Sequence, residues 1–177
     1  PRSEAAGTRK VPFTRELYIE KSDFAEVPPP KFQRLKPDGE VRLMGAYIVR
    51  CVQVVKNEAG DIVELHCMAD LETGNGMPAD GRKVRGTIHW VSAAHAVDAD
   101  VMLYDNLFTL EDVNAVPEGT NYPDSLRALK GCKLEAILAG AKPGDRFQFV
   151  RMGYFCKDSH NAHTFNRIVT LKDSFKL

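Results

Sequence analysis

The chain has 177 residues, 44% of them hydrophobic, with 24 Lys and Arg balanced by 24 Asp and Glu. That length suits one domain or two small ones, and the composition suits a soluble globular fold. Zero net charge excludes a domain-wide basic field, so any contact with nucleic acid rests on local clusters of cations. No apolar run approaches the ~20 residues needed to span a membrane, and the first residues carry no hydrophobic signal core. The chain starts at Pro1 rather than Met, which is what a piece cut from a longer protein, or a processed chain, would show. Cys51, Cys67, Cys132 and Cys156 form no Cys-x-x-Cys pair, so buried, reduced thiols in a cytosolic protein are expected. Their spacing does not fit zinc, and His160 and His163 lie in a polar stretch that reads as a loop rather than a metal site.

In chain order, residues 1–10 read as a flexible lead-in and Val11 to Glu20 as one strand, bent at Pro12. Ser22 is placed to cap a short helical turn. Val27-Pro28-Pro29-Pro30 is a stiff spacer and marks a domain junction. A turn at Lys36-Pro37-Asp38-Gly39 opens a long β-rich run from Val41 to Val55, with Gly45 as a bulge or bend. Asn57 to Asp61 is a hairpin turn, and Ile62 to Ala69 is its return strand. Leu71 to Asp80 is a polar, Gly-rich loop. Gly81 and Gly86 bracket Arg82, Lys83 and Arg85, and Thr87 to Val91 follows as a strand holding the chain's single Trp, Trp90.

Beyond this point Ala99 to Thr109 reads as a strand, Val113 to Tyr122 as a loop, and Pro123 to Gly131 as a short helix or turn ended by its glycine. Cys132 to Leu138, Arg146 to Val150, Gly153 to Lys157 and Thr164 to Leu171 are strands, with a tight turn at Lys142 to Asp145. Short, regular spacing between turn signals points to an all-β protein built from small antiparallel barrels. The order suggests nesting: one barrel from 1–27 and 95–177, and a second from 28–94 inserted into it.

Among chemical signatures, a P-loop, a Gly-x-Ser-x-Gly elbow and a His-Glu-x-x-His helix do not occur. The carboxylates scatter through turns. Taken alone, the basic cluster at 82–85 is a solvated rim on a hairpin whose Trp is core. His89 and Trp90 are read as core or barrel-junction residues, and Tyr154 and Phe155 as core first.

Several longer pieces carry a family signature. They are Asp80-Gly81-Arg82-Lys83-Val84, the run from Ile88 through His89-Trp90-Val91-Ser92 to Ala96, Leu103-Tyr104-Asp105, Phe147-Gln148-Phe149, Gly153-Tyr154-Phe155-Cys156, and Phe165 to Ser174. Together with Val11 to Glu20 they resemble the C-terminal anticodon-binding region of glutaminyl-tRNA synthetases, over roughly Arg9 to Leu177. The resemblance implies two β-barrels, one proximal and one distal to a class I catalytic domain whose His-Ile-Gly-His and Lys-Met-Ser-Lys type motifs this chain lacks. ATP and Mg would belong to that domain of the parent chain, with no cofactor and no metal in this region. The implied partners are tRNA(Gln) and the catalytic domain itself, for a cytoplasmic monomer that makes no membrane contact.

The resemblance also assigns residues. Arg34 matches an arginine contacting the third anticodon base, Arg42 one contacting the first, and Gln148 and Arg151 residues at the pocket for the central uracil. Lys31, Gln33, Arg82, Lys83, Arg85 and Arg167 are candidates for RNA backbone contacts. Such side chains suit the task, because arginine offers a planar donor fork and glutamine both donates and accepts. Departures from the family pattern include Met44, Met102 and Asn106, each standing where an arginine is common, and Val150 in place of an acidic residue. A further arginine for the central base lies upstream of Pro1 in the family, which leaves open whether the first barrel's first strand does too. Two alternatives stand beside this reading: the corresponding region of an archaeal or eukaryotic-type glutamyl-tRNA synthetase, and a stand-alone β-barrel that binds RNA or protein.

Overall fold

The computed structural model describes residues 8–105 and 125–171. The chain divides into two compact units, Arg15–Val91 and a discontinuous unit of Pro1–Thr14 with Ser92–Leu177. Both are built from strands, with short 3-10 segments as the helical content of the described residues. The all-β expectation therefore holds. Each sheet ends in free strands, and no sheet closes into a barrel among the described residues.

In the Arg15–Val91 unit, β1 (Leu17–Ile19) is much shorter than the predicted strand over 11–20. A 3-10 turn at Lys21–Asp23 follows, but Glu20 occupies its N-cap and no side chain caps it, so Ser22 lies inside the turn rather than before it. The long run from Val41 to Val55 is two strands, β2 (Glu40–Leu43) and β3 (Ile48–Lys56). Gly45, at φ +69°, sits in the turn between them, where the left-handed backbone suits a residue without a side chain. The Leu43 N–H donates to the Tyr47 carbonyl at 2.9 Å and closes the hairpin. β3 pairs with β4 (Ile62–Asp70) through the turn at 57–61, where Asn57 Oδ1 accepts the Asp61 N–H at 2.8 Å.

The predicted strand at 87–91 is likewise divided into β5 (Thr87–Ile88) and β6 (Trp90–Ser92), with His89 between them. β5 lies parallel to β2, giving the order β4-β3-β2-β5, while β6 pairs with β1. Val41 and Leu43 on β2, and Ile48, Val49 and Cys51 on β3, are buried, and with Leu35, Ile88, Trp90 and Val91 they make up the buried apolar residues of this unit. The Trp90 indole N–H donates to the Met44 carbonyl at 3.0 Å, so the ring is core, as expected. Met44 lends its backbone to this contact.

In the other unit, β7 (Val97–Tyr104), β8 (Leu126–Leu134), β9 (Arg146–Phe149), β10 (Gly153–Lys157) and β11 (Thr164–Val169) form one sheet, ordered β8-β7-β11-β10-β9. All neighbours are antiparallel except β7 and β11. The expected short helix or turn at 123–131 is overturned where the structure describes 126–131. Residues 126–131 are strand, and Gly131, at φ +64°, marks a bulge whose N–H donates to Asp100 Oδ1 at 3.2 Å. The glycine read as a helix stop is thus a bulge glycine. The predicted strand 132–138 ends at Leu134, and Ala136–Gly140 is a 3-10 segment. Readings for 106–124, including Asn106 and the loop at 113–122, lie outside the described residues.

One face of this sheet carries the core: Ala99, Val101, Leu103, Leu138, Phe155 and Phe165, joined by Phe147 and Phe149. Phe149 stacks on Phe155 with ring centres 4.3 Å apart. All four cysteines are free thiols, but only Cys51 is buried; Cys132 and Cys156 are half-buried and Cys67 is exposed, which corrects the expectation of four buried ones. Its place on β4 is directly across from buried Cys51, and burial raises the Cys51 pKa above its usual value.

Candidate nucleic-acid interface

Two of the arginines predicted to read bases, Arg34 and Arg42, are built into the Arg15–Val91 unit in different ways. Arg34 donates through Nη1 to Asp23 Oδ1 at 2.6 Å and to the Ser22 carbonyl at 3.2 Å. Asp23 is fully buried, so this guanidinium matches a desolvated carboxylate while 39% of its own side chain stays exposed. Backbone bonds fix the pair: Leu35 N–H donates to the Asp23 carbonyl at 3.0 Å, and Ala25 N–H to the Leu35 carbonyl at 3.1 Å.

Arg42 lies on β2. Its guanidinium donates to the carbonyls of Gly74 and Gly76 at 3.1 and 2.6 Å, and so holds the polar loop that follows β4. Arg82 is more heavily engaged. It binds Asp70 at 2.5 Å, Asp80 at 2.8 Å and Glu40 at 3.1 Å. Hydrogen bonds from Thr73 and from Arg82 hold the Asp70 carboxyl well below the usual carboxylate range, and the three carboxylates raise the Arg82 pKa further. Its three neighbours make Arg82 the fastener of the loop rather than an available cation.

Lys83 and Arg85 differ from Arg82 by the alternation of extended backbone. Both are exposed, and with Lys31 and Lys36 they form no ion pair among the described residues. These residues line one open groove of about 560 Å³ with Phe32, Gln33, Arg34, Asp38, Glu40, Arg50 and Val84. Six basic residues face two acidic ones there, a formal excess of four positive charges in a chain whose net charge is zero. Glu40 is held by Arg82, Asp38 by Arg50 at 3.4 Å and Arg34 by Asp23, so the excess is carried by Lys31, Lys36, Lys83 and Arg85.

Local backbone explains how segments 31–36 and 83–85 meet. Gly86 has φ +90°, and a Cβ built on it would lie 1.8 Å from the Gln33 carbonyl oxygen. Only glycine permits that approach. Phe32 N–H closes a turn onto the Pro29 carbonyl at 3.1 Å, and Lys31 takes φ +64°, a left-handed conformation uncommon outside glycine.

Gln148 and Arg151 belong to the other unit. Gln148 lies on β9 between Phe147 and Phe149, which turn inward, so the amide is on the exposed face, directly across from Tyr154. Arg151 sits in the β9–β10 turn at φ +72°, where the Met152 N–H donates to the Phe149 carbonyl at 2.9 Å. Arg167 is half-buried and donates to the Tyr104 carbonyl at 3.0 Å, bracing β11 against β7. Tyr154 corrects its expectation: Phe155 is core, but Tyr154 is 45% exposed. Lys36, Arg50 and Phe32 join the groove without any sequence signal that singles them out. A lysine before a Pro-Asp-Gly turn and an arginine in a strand are unremarked until Gly86 brings two distant segments together.

Comparison with known proteins gives this arrangement a family. Residues 1–70 and 87–158 match two models, each described as tRNA synthetases class I (E and Q), anti-codon binding domain. The chain therefore belongs to the anticodon-binding domains of the class I tRNA synthetases for glutamate and glutamine. It is 50% identical over 184 residues to the glutamine–tRNA ligase of Xanthomonas campestris pv. campestris (strain 8004), covering 99% of this chain and 32% of that protein. Likeness to the glutamine–tRNA ligase of Stutzerimonas stutzeri (strain A1501) is 49% over 178 residues, covering 96% of this chain and 32% of the relative. That of Pseudomonas syringae pv. tomato is 45% identical over 181 residues, covering 97% of this chain and 32% of the relative. The chain thus spans about a third of the length of these relatives.

Proposed function

We propose that this chain is the anticodon-binding region of a glutamine–tRNA ligase, holding the anticodon loop of tRNA(Gln) while a catalytic domain of the same parent chain joins glutamine to that tRNA with ATP. Arg34 serves the third anticodon base, Arg42 the first, and Gln148 with Arg151 the central uracil. ATP and Mg belong to the parent's catalytic domain, and this region alone does not aminoacylate. It works as a cytoplasmic monomer.

The observation that carries this reading is the groove between 31–36 and 83–85. An open, cation-rich surface with an aromatic and a glutamine in its wall suits an unstacked, single-stranded loop, whose phosphates meet lysines and whose base edges meet planar donors. Within it, Lys31, Gln33, Lys83 and Arg85 take the RNA backbone. Arg82, predicted for the same task, serves it indirectly by holding the loop beside them. Arg167 acts as a brace within its sheet. For Arg42 to reach a base, RNA acceptors have to replace the carbonyls of Gly74 and Gly76.

The test is binding of the chain to a glutamine tRNA transcript and to one with the central anticodon base changed, each at two salt concentrations. Tighter binding of the matched transcript, erased by Gln148→Ala or Arg151→Ala, supports base reading. Equal binding of both, seen only at low salt, would limit the chain to backbone contact and overturn the base assignments.

A further inference from the structure

The sheet β8-β7-β11-β10-β9 buries one face in phenylalanines, and the other is turned outward at β9 and β10. Along β10 the pattern is strict: Gly153, Phe155 and Lys157 are buried, and Tyr154 between them is 45% exposed. Register places Tyr154 across from Gln148 on β9 and Val169 on β11, so the three side chains form one row over the outer face. Val169 is 51% exposed and floors the row. Arg146, two residues before Gln148 on the same face of β9, is also exposed and forms no ion pair among the described residues. An aromatic ring, an amide that donates and accepts, and a cation thus stand within two residues of one another on one face of the sheet. That combination is what a single unstacked base with its phosphate requires.

We propose that Tyr154 is the stacking platform for the base whose edge Gln148 reads, and that Arg146 holds the adjoining phosphate. The proposal deepens the reading above and rests on it, since it takes Gln148 as a base reader. It adds what that reading lacks: a face for the base to lie on. Two hydrogen-bonding side chains on an exposed strand and turn would otherwise compete with water for a base edge. An aromatic floor removes one face of the base from solvent and sets the plane in which the amide must reach. The exposed side chains of the neighbouring turn, Val150 and Met152, at 42% and 43%, extend the apolar floor toward Arg151.

The experiment uses the whole chain and an anticodon stem-loop RNA with uracil at the central position, or cytosine there as the mismatched control. Tyr154→Leu keeps apolar bulk without the ring, and its affinity for the uracil RNA should fall about tenfold. Tyr154→Trp should bind like the original. Arg146→Ala should weaken both RNAs alike and lower the dependence of affinity on salt by about one ion. In the unaltered chain, 5-iodouracil at the central position should crosslink to Tyr154 on irradiation, located by mass spectrometry. Thermal melting of Tyr154→Leu checks that its fold persists, and the crosslink needs no variant at all.

If Tyr154→Leu binds unchanged and the crosslink falls elsewhere, while Gln148→Ala still erases discrimination, the stacking role is overturned and the base-reading assignment stands. If Gln148→Ala also leaves discrimination intact, both fail together.

Discussion

Replacing Gly86 with alanine isolates the contact on which the groove depends. The new Cβ would sit 1.8 Å from the Gln33 carbonyl oxygen and 2.8 Å from its carbon, and Cβ atoms do not approach within 3.0 Å, so one segment must move by more than about 1 Å. Alanine at φ +90° adds left-handed strain of roughly 1–2 kcal/mol. A shift of residue 86 also disturbs the 3.2 Å bond from the Arg42 N–H to its carbonyl, worth about 1 kcal/mol. Reduced freedom of the unfolded chain returns roughly 0.4–1 kcal/mol. The net expectation is a loss of about 2 kcal/mol, large enough to read from the midpoint of a urea transition. Gly60→Ala is the control, because Gly60 has φ +86° with nothing within 4 Å of the place a Cβ would take, so it carries the strain without the clash. The two variants should differ in stability by the clash and the hydrogen bond it disturbs, and only Gly86→Ala should weaken RNA binding. Equal stability of the two, with RNA binding intact in both, would refute the claim that this close approach builds the groove.

Other outcomes follow from the same geometry. Lys83→Ala and Arg85→Ala should each weaken matched and mismatched RNA alike, and each should lower the slope of log affinity against log salt by about one, as seen in titrations at several salt concentrations. Arg34→Ala leaves the buried Asp23 carboxylate without this partner and should cost about 2 kcal/mol in urea unfolding, less for Arg34→Lys, so its binding defect must be measured on folded protein. The Asp70 carboxyl is held below its ordinary range by Thr73 and Arg82, so the stability it gives is present above about pH 4 and lost as pH falls further. Asp70→Asn should therefore flatten the acid side of a stability–pH profile while lowering stability at neutral pH.

Much of the fold can be read from turn chemistry. The Lys36–Gly39, Asn57–Asp61 and Lys142–Asp145 turns stand where proline, asparagine, aspartate and glycine put them, with the Gly39, Gly60 and Asp145 N–H groups each closing back by three residues. Glycines mislead where one residue type serves two structures. Gly45 reads as a bend in a single strand and makes a hairpin, while Gly131 reads as a helix stop and makes a bulge. In both cases the left-handed conformation is the common requirement, and the partner strand decides the outcome. Tyr154 and Phe155 show a different limit. Both suit a strand interior, but only pairing with β9 and β11 tells which faces the core. The residues proposed to read bases come through a family signature. Nothing in the spacing of Arg34 and Arg85 announces that they line one groove.

Zero net charge argues against an RNA-binding surface, and the segment 82–85 shows how a cation-rich groove, proposed to meet RNA, coexists with it. In extended backbone, successive side chains point to opposite sides. Arg82 is met by three carboxylates, from Asp70, Asp80 and Glu40, which tie down the loop after β4. Lys83 and Arg85 escape those carboxylates and face the groove with Lys31 and Lys36. The acidic residues that balance the total are thus placed where they order structure, including Asp23 beneath Arg34. A bound phosphate meets four cations without an ion pair to break, so its attraction is not offset by loss of internal pairs. On this account, shuffling charge without altering the total should matter. The double change Asp38→Lys with Lys36→Asp keeps net charge at zero and leaves groove affinity nearly constant. Moving the charge out of the groove, by Lys83→Glu with Glu58→Lys in the β3–β4 turn, should weaken RNA binding several-fold at the same net charge. Equal affinities for the two double variants would mean that total charge, and not its placement in this groove, governs binding.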